Sequence, residues 1–189
     1  TALEEVQPTD LTASEISVRL GATWLPEDVV QEFMYQLLDT PYYAQWKVKV
    51  HYSRYTGGWN VEGKSYDRSN INAISTYGTD RVNAYKIIED TLNLRDVRVF
   101  DYVEDENGKR VPILNKKETA IAQGKQELIK QAFQDWIWKD QPRRERLCKL
   151  YNEQFNALRP REYDGTHLKF VGMNPEIQLR QHQLNAVAH

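Results

Sequence analysis

The chain has 189 residues, of which 40% are hydrophobic and 28% charged, with a net charge of -2. This composition is typical of a globular protein with one large domain or two small ones, and it excludes a generally disordered chain. No apolar run approaches the ~20 residues that a membrane-spanning helix needs. Cys148 is the only cysteine, which excludes an internal disulfide, and we expect a cytoplasmic protein. Because the chain starts at Thr1 without methionine, we also expect it to be part of a longer protein.

The first forty residues predict a linker followed by two helices. Residues 1–12 are polar and predict the linker. Thr12 as a cap and Gly21 as a stop predict a short helix over 13–20. Apolar residues at helical spacing predict a second helix over 26–38.

Two β-hairpins are predicted further along the chain. Residues 46–51, WKVKVH, alternate between apolar and polar, and a glycine pair can turn this strand back onto a partner at 59–62. A second alternating stretch covers 97–103. It is followed by an Asn-Gly turn, which predicts a hairpin completed by 110–114.

The remaining elements are predicted to be one long loop and three helices. Residues 63–78 are rich in Ser, Asn, Tyr and Gly and predict the loop. Helices are predicted over 80–92, with Thr79 or Asp80 as cap, and over 116–138. A basic helix is predicted over 142–157. Several helices with two hairpins indicate an α+β fold and not a doubly wound parallel sheet.

The small net charge hides an uneven distribution. Residues 1–40 carry a net charge of -7, whereas 41–100 carry +3 and 139–161 carry +4. Such a basic block can bind phosphates because each neutralised phosphate releases counterions. A solvated helix face is the alternative interpretation, and the pI of 6.1 argues against a freestanding nucleic-acid-binding protein. The candidate phosphate contacts in the basic helix are Arg143, Arg144, Arg146 and Lys149.

Aromatic and basic residues are interleaved in the first predicted hairpin and the loop after it. This pattern can stack bases and hold a nucleic-acid backbone, although aromatic residues are also common structural material in strands. The aromatic residues are Trp46, Tyr52, Tyr55 and Trp59. The candidate nucleic-acid contacts are Lys47, Lys49, Arg54, Lys64 and Arg68.

The sequence shows no self-contained catalytic site. It has neither a GxGxxG nor a GxxxxGK[ST] phosphate loop, and its histidines have no metal-ligand spacing. Cys148 lies beside apolar residues and is expected to be a small core residue and not a nucleophile. Three acids near predicted strands, Asp96, Asp101 and Glu104, leave a nuclease-like activity open as a minor alternative.

The last segment, MNPEIQLRQHQLNAVAH over 173–189, resembles the glutamine motif that opens the motor of Swi/Snf-type helicase-like ATPases. In that family the glutamine reads the adenine of ATP, and a carboxamide suits this task because it offers one donor and one acceptor. The resemblance implies that Gln183, with Arg180 before it, contacts ATP. The phosphate loop of the motor does not occur in the chain.

Nearly the whole chain, from Leu11 to His189, is similar to one region of very large bacterial proteins found on phages and conjugative elements. The segments that carry this resemblance include ASEISVRLGATWLPEDVVQEFMYQLL, VHYSRYTGGWNVEGK and NKKETAIAQGKQELIKQAFQDWIW. Those proteins join an adenine-specific DNA methyltransferase, which uses S-adenosylmethionine, to a Swi/Snf-type ATPase. The methyltransferase Asn-Pro-Pro-aromatic motif is absent here, since Asn174-Pro175 is followed by Glu176.

The resemblance implies a connector between two enzymes that act in restriction, protection from restriction or DNA remodelling. We expect an α+β connector over 13–160 that contacts DNA, followed by a lead-in to the ATPase motor over 161–189. Its partners would be DNA and the flanking methyltransferase and ATPase domains. A purely structural spacer is the main alternative.

Overall fold

The computed structural model describes residues 9–156, which adopt an α+β fold, as predicted. Residues Leu11–Tyr151 form one compact unit. Of a second unit, residues 9–10 and 152–156 are described; there, the side-chain amide of Asn156 donates to the carbonyl of Thr9 at 2.9 Å. The elements are α1 (Glu27–Leu38), α2 (Tyr42–Gln45), β1 (Lys49–Ser53), β2 (Gly58–Glu62), α3 (Ala84–Leu92), β3 (Phe100–Glu104), β4 (Arg110–Leu114), α4 (Lys116–Ile137) and α5 (Gln141–Tyr151), with π-helical segments at Asn72–Thr76 and Asn152–Asn156.

The helices predicted from apolar spacing are confirmed as α1, α3, α4 and α5. The start of α3 differs from the prediction, because Asn83 caps the helix by accepting the N–H of Lys86. Thr79 does not cap it. The Thr79 hydroxyl instead accepts the N–H of Val82 in a separate turn before the helix. Asn115 caps α4 in the same way as Asn83 caps α3.

The predicted helix over 13–20 is wrong. Thr12 closes only a single turn, in which its N–H and hydroxyl both donate to the Glu15 carboxylate at 2.8 Å. The chain then runs extended, so that Ile16, Val18 and Leu20 are buried while the residues between them are exposed. A period of two buries more apolar surface here than a helix would, since a helix would place Val18 on the side opposite Ile16 and Leu20.

Both predicted hairpins are confirmed, as two separate antiparallel sheets. The first strand of each hairpin begins later than the alternation predicts, at Lys49 and at Phe100. Val97 and Val99 are buried before the strand begins, and their N–H groups donate to the side chains of Gln126 and Thr119 on α4. This stretch therefore lies along a helix before the chain enters β3.

The core lies where α1 and α3 pack on α4, with β1 and β2 against α1 and α3. The ring of Phe33 meets that of Phe133 edge to face, with centroids 5.2 Å apart. The ring of Trp136 also packs on that of Phe33, with centroids 5.3 Å apart. Aromatic pairs of this kind contribute about 0.5–1.5 kcal/mol beyond the area they bury.

The predicted loop over 63–78 has a defined structure around Asp67. This buried carboxylate accepts the Tyr85 hydroxyl at 2.8 Å and the Asn70 amide at 2.7 Å. Asn70 also donates to the carbonyl of Leu38 at the end of α1. Burial, more than the nearby Asp67 charge, raises the pKa of Tyr85 above its ordinary value, which keeps this hydroxyl protonated as the donor.

Candidate nucleic-acid interface

Helix α2 presents aromatic side chains to solvent. It is a single turn after Pro41, and Ala44 is its one buried residue. The Tyr35 hydroxyl donates to the carbonyl of Gln45 at 2.7 Å and also to that of Val48, which holds the turn against α1. The rings that remain outside are Tyr42, 90% exposed, together with Tyr43 and Trp46.

A cation lies directly beside these rings. The Lys47 ammonium is 4.4 Å from the centroid of the Trp46 ring, which is 63% exposed. Gly63 lies against the Lys47 backbone, where an added Cβ would be 2.5 Å from the carbonyl oxygen. We call Tyr42, Tyr43, Trp46 and Lys47 the aromatic platform.

The predicted aromatic residues of the first hairpin divide into two groups. Trp59 is buried and Tyr52 packs on it with ring centroids 4.9 Å apart, so both are structural. Tyr55 and Arg54 lie at the hairpin tip and are exposed. Of the four aromatic residues predicted in this hairpin, Tyr55 at the tip and Trp46 in the platform are therefore the ones that offer rings to a ligand.

The two further basic candidates, Lys49 and Arg68, differ in their surroundings. Lys49 pairs across the hairpin with Glu62, and His51 beside it lies 3.6 Å from the same carboxylate. This face of the hairpin is close to neutral. Arg68 is exposed, and its Nε donates to the carbonyl of Ser65 at 2.8 Å.

Lys64 forms an ion pair and a hydrogen bond within the fold. Its ammonium lies 2.6 Å from the Glu89 carboxylate and 2.8 Å from the carbonyl of Val61. The Glu89 carboxylate also accepts the N–H of Val61 at 2.8 Å. Burial acts to raise the pKa of Glu89, but the bonds from Lys64 and Val61 outweigh it and hold that pKa below its ordinary value of 4.5.

The Glu89 pair predicts a specific pH dependence of stability. Since the folded pKa is lowered, the stabilisation is complete above about pH 4.5 and is lost as the pH falls through the folded pKa. We expect Glu89→Gln to lower the free energy of unfolding by about 2 kcal/mol at pH 7 and by much less at acidic pH. Urea denaturation of both proteins from pH 7 down to pH 3 measures this, and a pH-independent difference would contradict it.

Arg143, a candidate in the basic helix, is also buried in the fold, with its side chain 7% exposed. Its guanidinium donates to the carbonyl of Ile137 at 3.1 Å and to that of Trp136 at 2.6 Å. It also lies 3.5 Å from the centroid of the Trp136 ring. The structure therefore gives Arg143 a structural role and leaves little of its guanidinium open to a phosphate, and its DNA contact stays a prediction.

The other bases of α5 are more exposed. Arg146 forms two hydrogen bonds with Asp28 on α1, at 2.6 and 3.1 Å, and this contact holds the pKa of Asp28 below its ordinary value. Arg144 is half-buried and donates to the carbonyl of Trp138 at 3.3 Å. Lys149 is exposed. Arg143, Arg144 and Arg146 of the basic helix thus all bind groups within the fold.

The surroundings of Cys148 and Asp101 do not indicate a catalytic role for either residue. Cys148 is half-buried, and burial raises the pKa of its thiol despite the nearby Arg144. Asp101 accepts a hydrogen bond from Asn115 and pairs with Arg81 at 2.8 Å. Within residues 9–156, no group of three or more His, Cys, Asp or Glu side chains could hold a metal ion.

A cavity of about 270 Å³ opens beside the end of α3 and includes Arg19, Arg95 and Lys130 in its lining. Its positive charge is partly used, because Arg95 pairs with Asp90 and Lys130 pairs with Glu127. The negative end of the α3 dipole also points toward it, which disfavours an anion. The cavity therefore lacks the features of a phosphate site.

Sequence reasoning missed Tyr42 and Tyr43 as candidates, although two adjacent tyrosines after a helix-ending proline were a usable signal. The adenine-contacting candidates Gln183 and Arg180 lie outside the described residues. Among residues 9–156, no helix combines the length and apolar character needed to cross a bilayer.

The chain belongs to a protein family that is described as "Domain of unknown function (DUF8437)". The family model matches residues 19–157, which contain every helix and strand described above. No curated protein and no solved structure was found to match the chain.

Proposed function

We propose that this domain is a DNA-contacting connector and that it holds unpaired bases on its aromatic platform. The observation that carries the proposal is the exposure of three aromatic rings on one short, fixed turn, with the Lys47 ammonium over Trp46. Rings beside cations bind single-stranded nucleic acid because every base has a face that can stack and every nucleotide carries a phosphate.

The charges around the platform fit this ligand. Residues 41–68 contain five basic residues and two acids. Among the described residues, no carboxylate lies within ion-pair distance of Lys47, Arg54 or Arg68, so these cations can meet phosphates. The basic helix contributes less than its sequence suggests, since Arg143 and Arg146 are held in internal contacts.

In the longer protein, we propose that this connector lies between an adenine-specific DNA methyltransferase and a Swi/Snf-type ATPase and keeps DNA near both. The support for this arrangement is the resemblance of the chain to that region. The use of S-adenosylmethionine and ATP belongs to the flanking domains. The adenine contact of Gln183 and Arg180 stays a prediction of the same resemblance.

Fluorescence anisotropy with a labelled oligothymidine tests the DNA contact. We expect binding that weakens as salt rises, and Trp46→Ala should weaken it about tenfold, because one stacked base contributes about 1–3 kcal/mol. Tyr102→Ala is the matched control, since it removes an exposed ring from the acidic second hairpin. Equal loss in both variants would contradict the platform.

A structural spacer is the second candidate function, and it is favoured by the internal use of Arg143, Arg146 and Lys64. The same titration separates the two. The spacer alone predicts no oligothymidine binding even at low salt, whereas the connector predicts binding whose salt slope falls when Lys47 is replaced by alanine.

A further inference from the structure

The second hairpin is almost entirely exposed on both faces. Its strands pack mainly on each other, with little packing on the described helices. Tyr102 at the centre of β3 is 61% exposed. A two-stranded ribbon with this much apolar surface is at most marginally stable alone, which makes it a candidate for covering by a partner. Its exposed apolar residues are Phe100, Tyr102, Val103, Ile113 and Leu114.

The hydrogen-bond register decides which backbone groups face outward. The N–H of Asn115 donates to Val99, and the N–H of Asp105 donates to Lys109, so the odd-numbered residues of β3 form the hydrogen-bonded pairs. Antiparallel pairs alternate along the ladder. The N–H and C=O of Tyr102 therefore point away from β4.

The two edges of the hairpin are not equivalent. Pro112 pairs with Tyr102 and so lies at an outward-facing position of β4, where it has no N–H to offer. Proline at such a position blocks the addition of another strand. On β3, Arg81 bonds the outward carbonyl of Phe100 at 2.9 Å, while no hydrogen bond within the described residues occupies the outward groups of Tyr102 or Glu104.

The open edge is also acidic. Glu104 ends β3, and Asp105 and Glu106 follow it, whereas Lys109 comes after the turn and Arg110 begins β4, with its guanidinium 5.8 Å from the centroid of the Tyr102 ring. An added strand next to β3 would meet these carboxylates. A basic segment complements them and an acidic one is repelled.

We propose that the edge of β3 binds an extended basic segment of another polypeptide, which adds to the hairpin as a third strand. The backbone groups of Tyr102 and Glu104 supply the main-chain bonds. The exposed apolar side chains pack on the alternate side chains of the incoming strand. This binding mode is independent of the DNA contact, because it uses the opposite charge and a different hairpin.

Amide hydrogen exchange of the full chain, measured by NMR, tests the proposal with a short peptide that alternates lysine and valine. We expect the amides of Tyr102 and Glu104 to exchange at least about tenfold more slowly when the peptide is bound. A matched peptide that alternates glutamate and valine should give no protection. The proposal is overturned if neither amide is protected or if both peptides protect equally.

Two variants separate strand addition from looser contacts. Tyr102→Pro removes the ring and the outward N–H and should abolish peptide binding, while Tyr102→Thr removes the ring but keeps the N–H and should retain binding. If Tyr102→Pro disturbs the hairpin, Glu104→Lys provides the second check and should exchange the preference between the two peptides. Pairing of β3 with a second copy of the chain would appear as a dimer in sedimentation that Tyr102→Pro abolishes, and that result would overturn the basic-segment proposal.

Discussion

Arg143→Ala is expected to lower the free energy of unfolding by about 3 kcal/mol, although the residue lies in a basic helix that looks like a nucleic-acid surface. The guanidinium bonds the carbonyls of Trp136 and Ile137, where α4 ends. Charged hydrogen bonds contribute about 1.5–3 kcal/mol each and a desolvated cation–π contact about 2, and these contributions overlap because one group makes all of them.

The loss is large because the variant leaves acceptors unsatisfied. The last carbonyls of a helix have no partner within the helix, and here a side chain from the following helix supplies one. Without it, the carbonyls of Trp136 and Ile137 lose a charged donor, and we expect the joint between α4 and α5 to loosen.

Urea denaturation followed by circular dichroism measures this loss. Arg146→Ala is the matched control, because its partner Asp28 and the arginine itself are both more than half exposed, and such pairs contribute about 0–1 kcal/mol. Oligothymidine affinity of the folded Arg143→Ala protein should equal that of the unchanged protein. A stable variant with reduced affinity would return Arg143 to the DNA interface.

Gly78→Ala is expected to destabilise the domain by about 3 kcal/mol, at the upper end of the cost of overpacking. An added Cβ would lie 2.0 Å from the carbonyl oxygen of Ala73 and 2.8 Å from the backbone nitrogen of Ala84. Both contacts are with backbone, so no side chain can rotate away. The glycine holds the π-helical segment against the start of α3, and these two elements would have to separate.

Gly124→Ala is the matched control for this substitution. Gly124 lies inside α4 with no atom near its would-be Cβ, so alanine should stabilise the protein by about 0.5–1 kcal/mol. Thermal unfolding of the two variants should therefore shift in opposite directions. A shift of the same sign and size in both would show that the Gly78 contact is tolerated.

Elements with a long, regular apolar period could be predicted from the sequence. Helices α1 and α4 each bury a continuous stripe, and only a helix brings those side chains to one face. The segment through Ile16, Val18 and Leu20 was predicted to be a helix because Thr12 can cap a helix and Gly21 can end one. Its apolar period of two, which indicates an extended chain, was given less weight. The cap was real, but it closed one turn only.

The candidate site was less predictable, because exposure depends on what packs against each residue. Trp46 and Trp59 both belong to the first predicted hairpin, yet one is exposed and the other is buried against α3 and Tyr52. Arg143 and Arg146 lie one helical turn apart and differ in the same way. The residue type shows that a side chain can stack or carry charge. It does not show whether a neighbouring residue in the fold already covers the ring or pairs with the charge.

By itself, the sequence determined the α+β fold, both hairpins and the concentration of basic and aromatic residues around the first hairpin, since periodicity, turn residues and charge are local properties of the chain. Only the tertiary structure decided which of those residues face solvent. It enclosed Arg143 at the end of α4, tied Lys64 to Glu89, and left the rings of α2 and the edge of β3 open. The reason is physical: burial and pairing are set by contacts between residues far apart in the chain, as in the bond from Arg146 to Asp28.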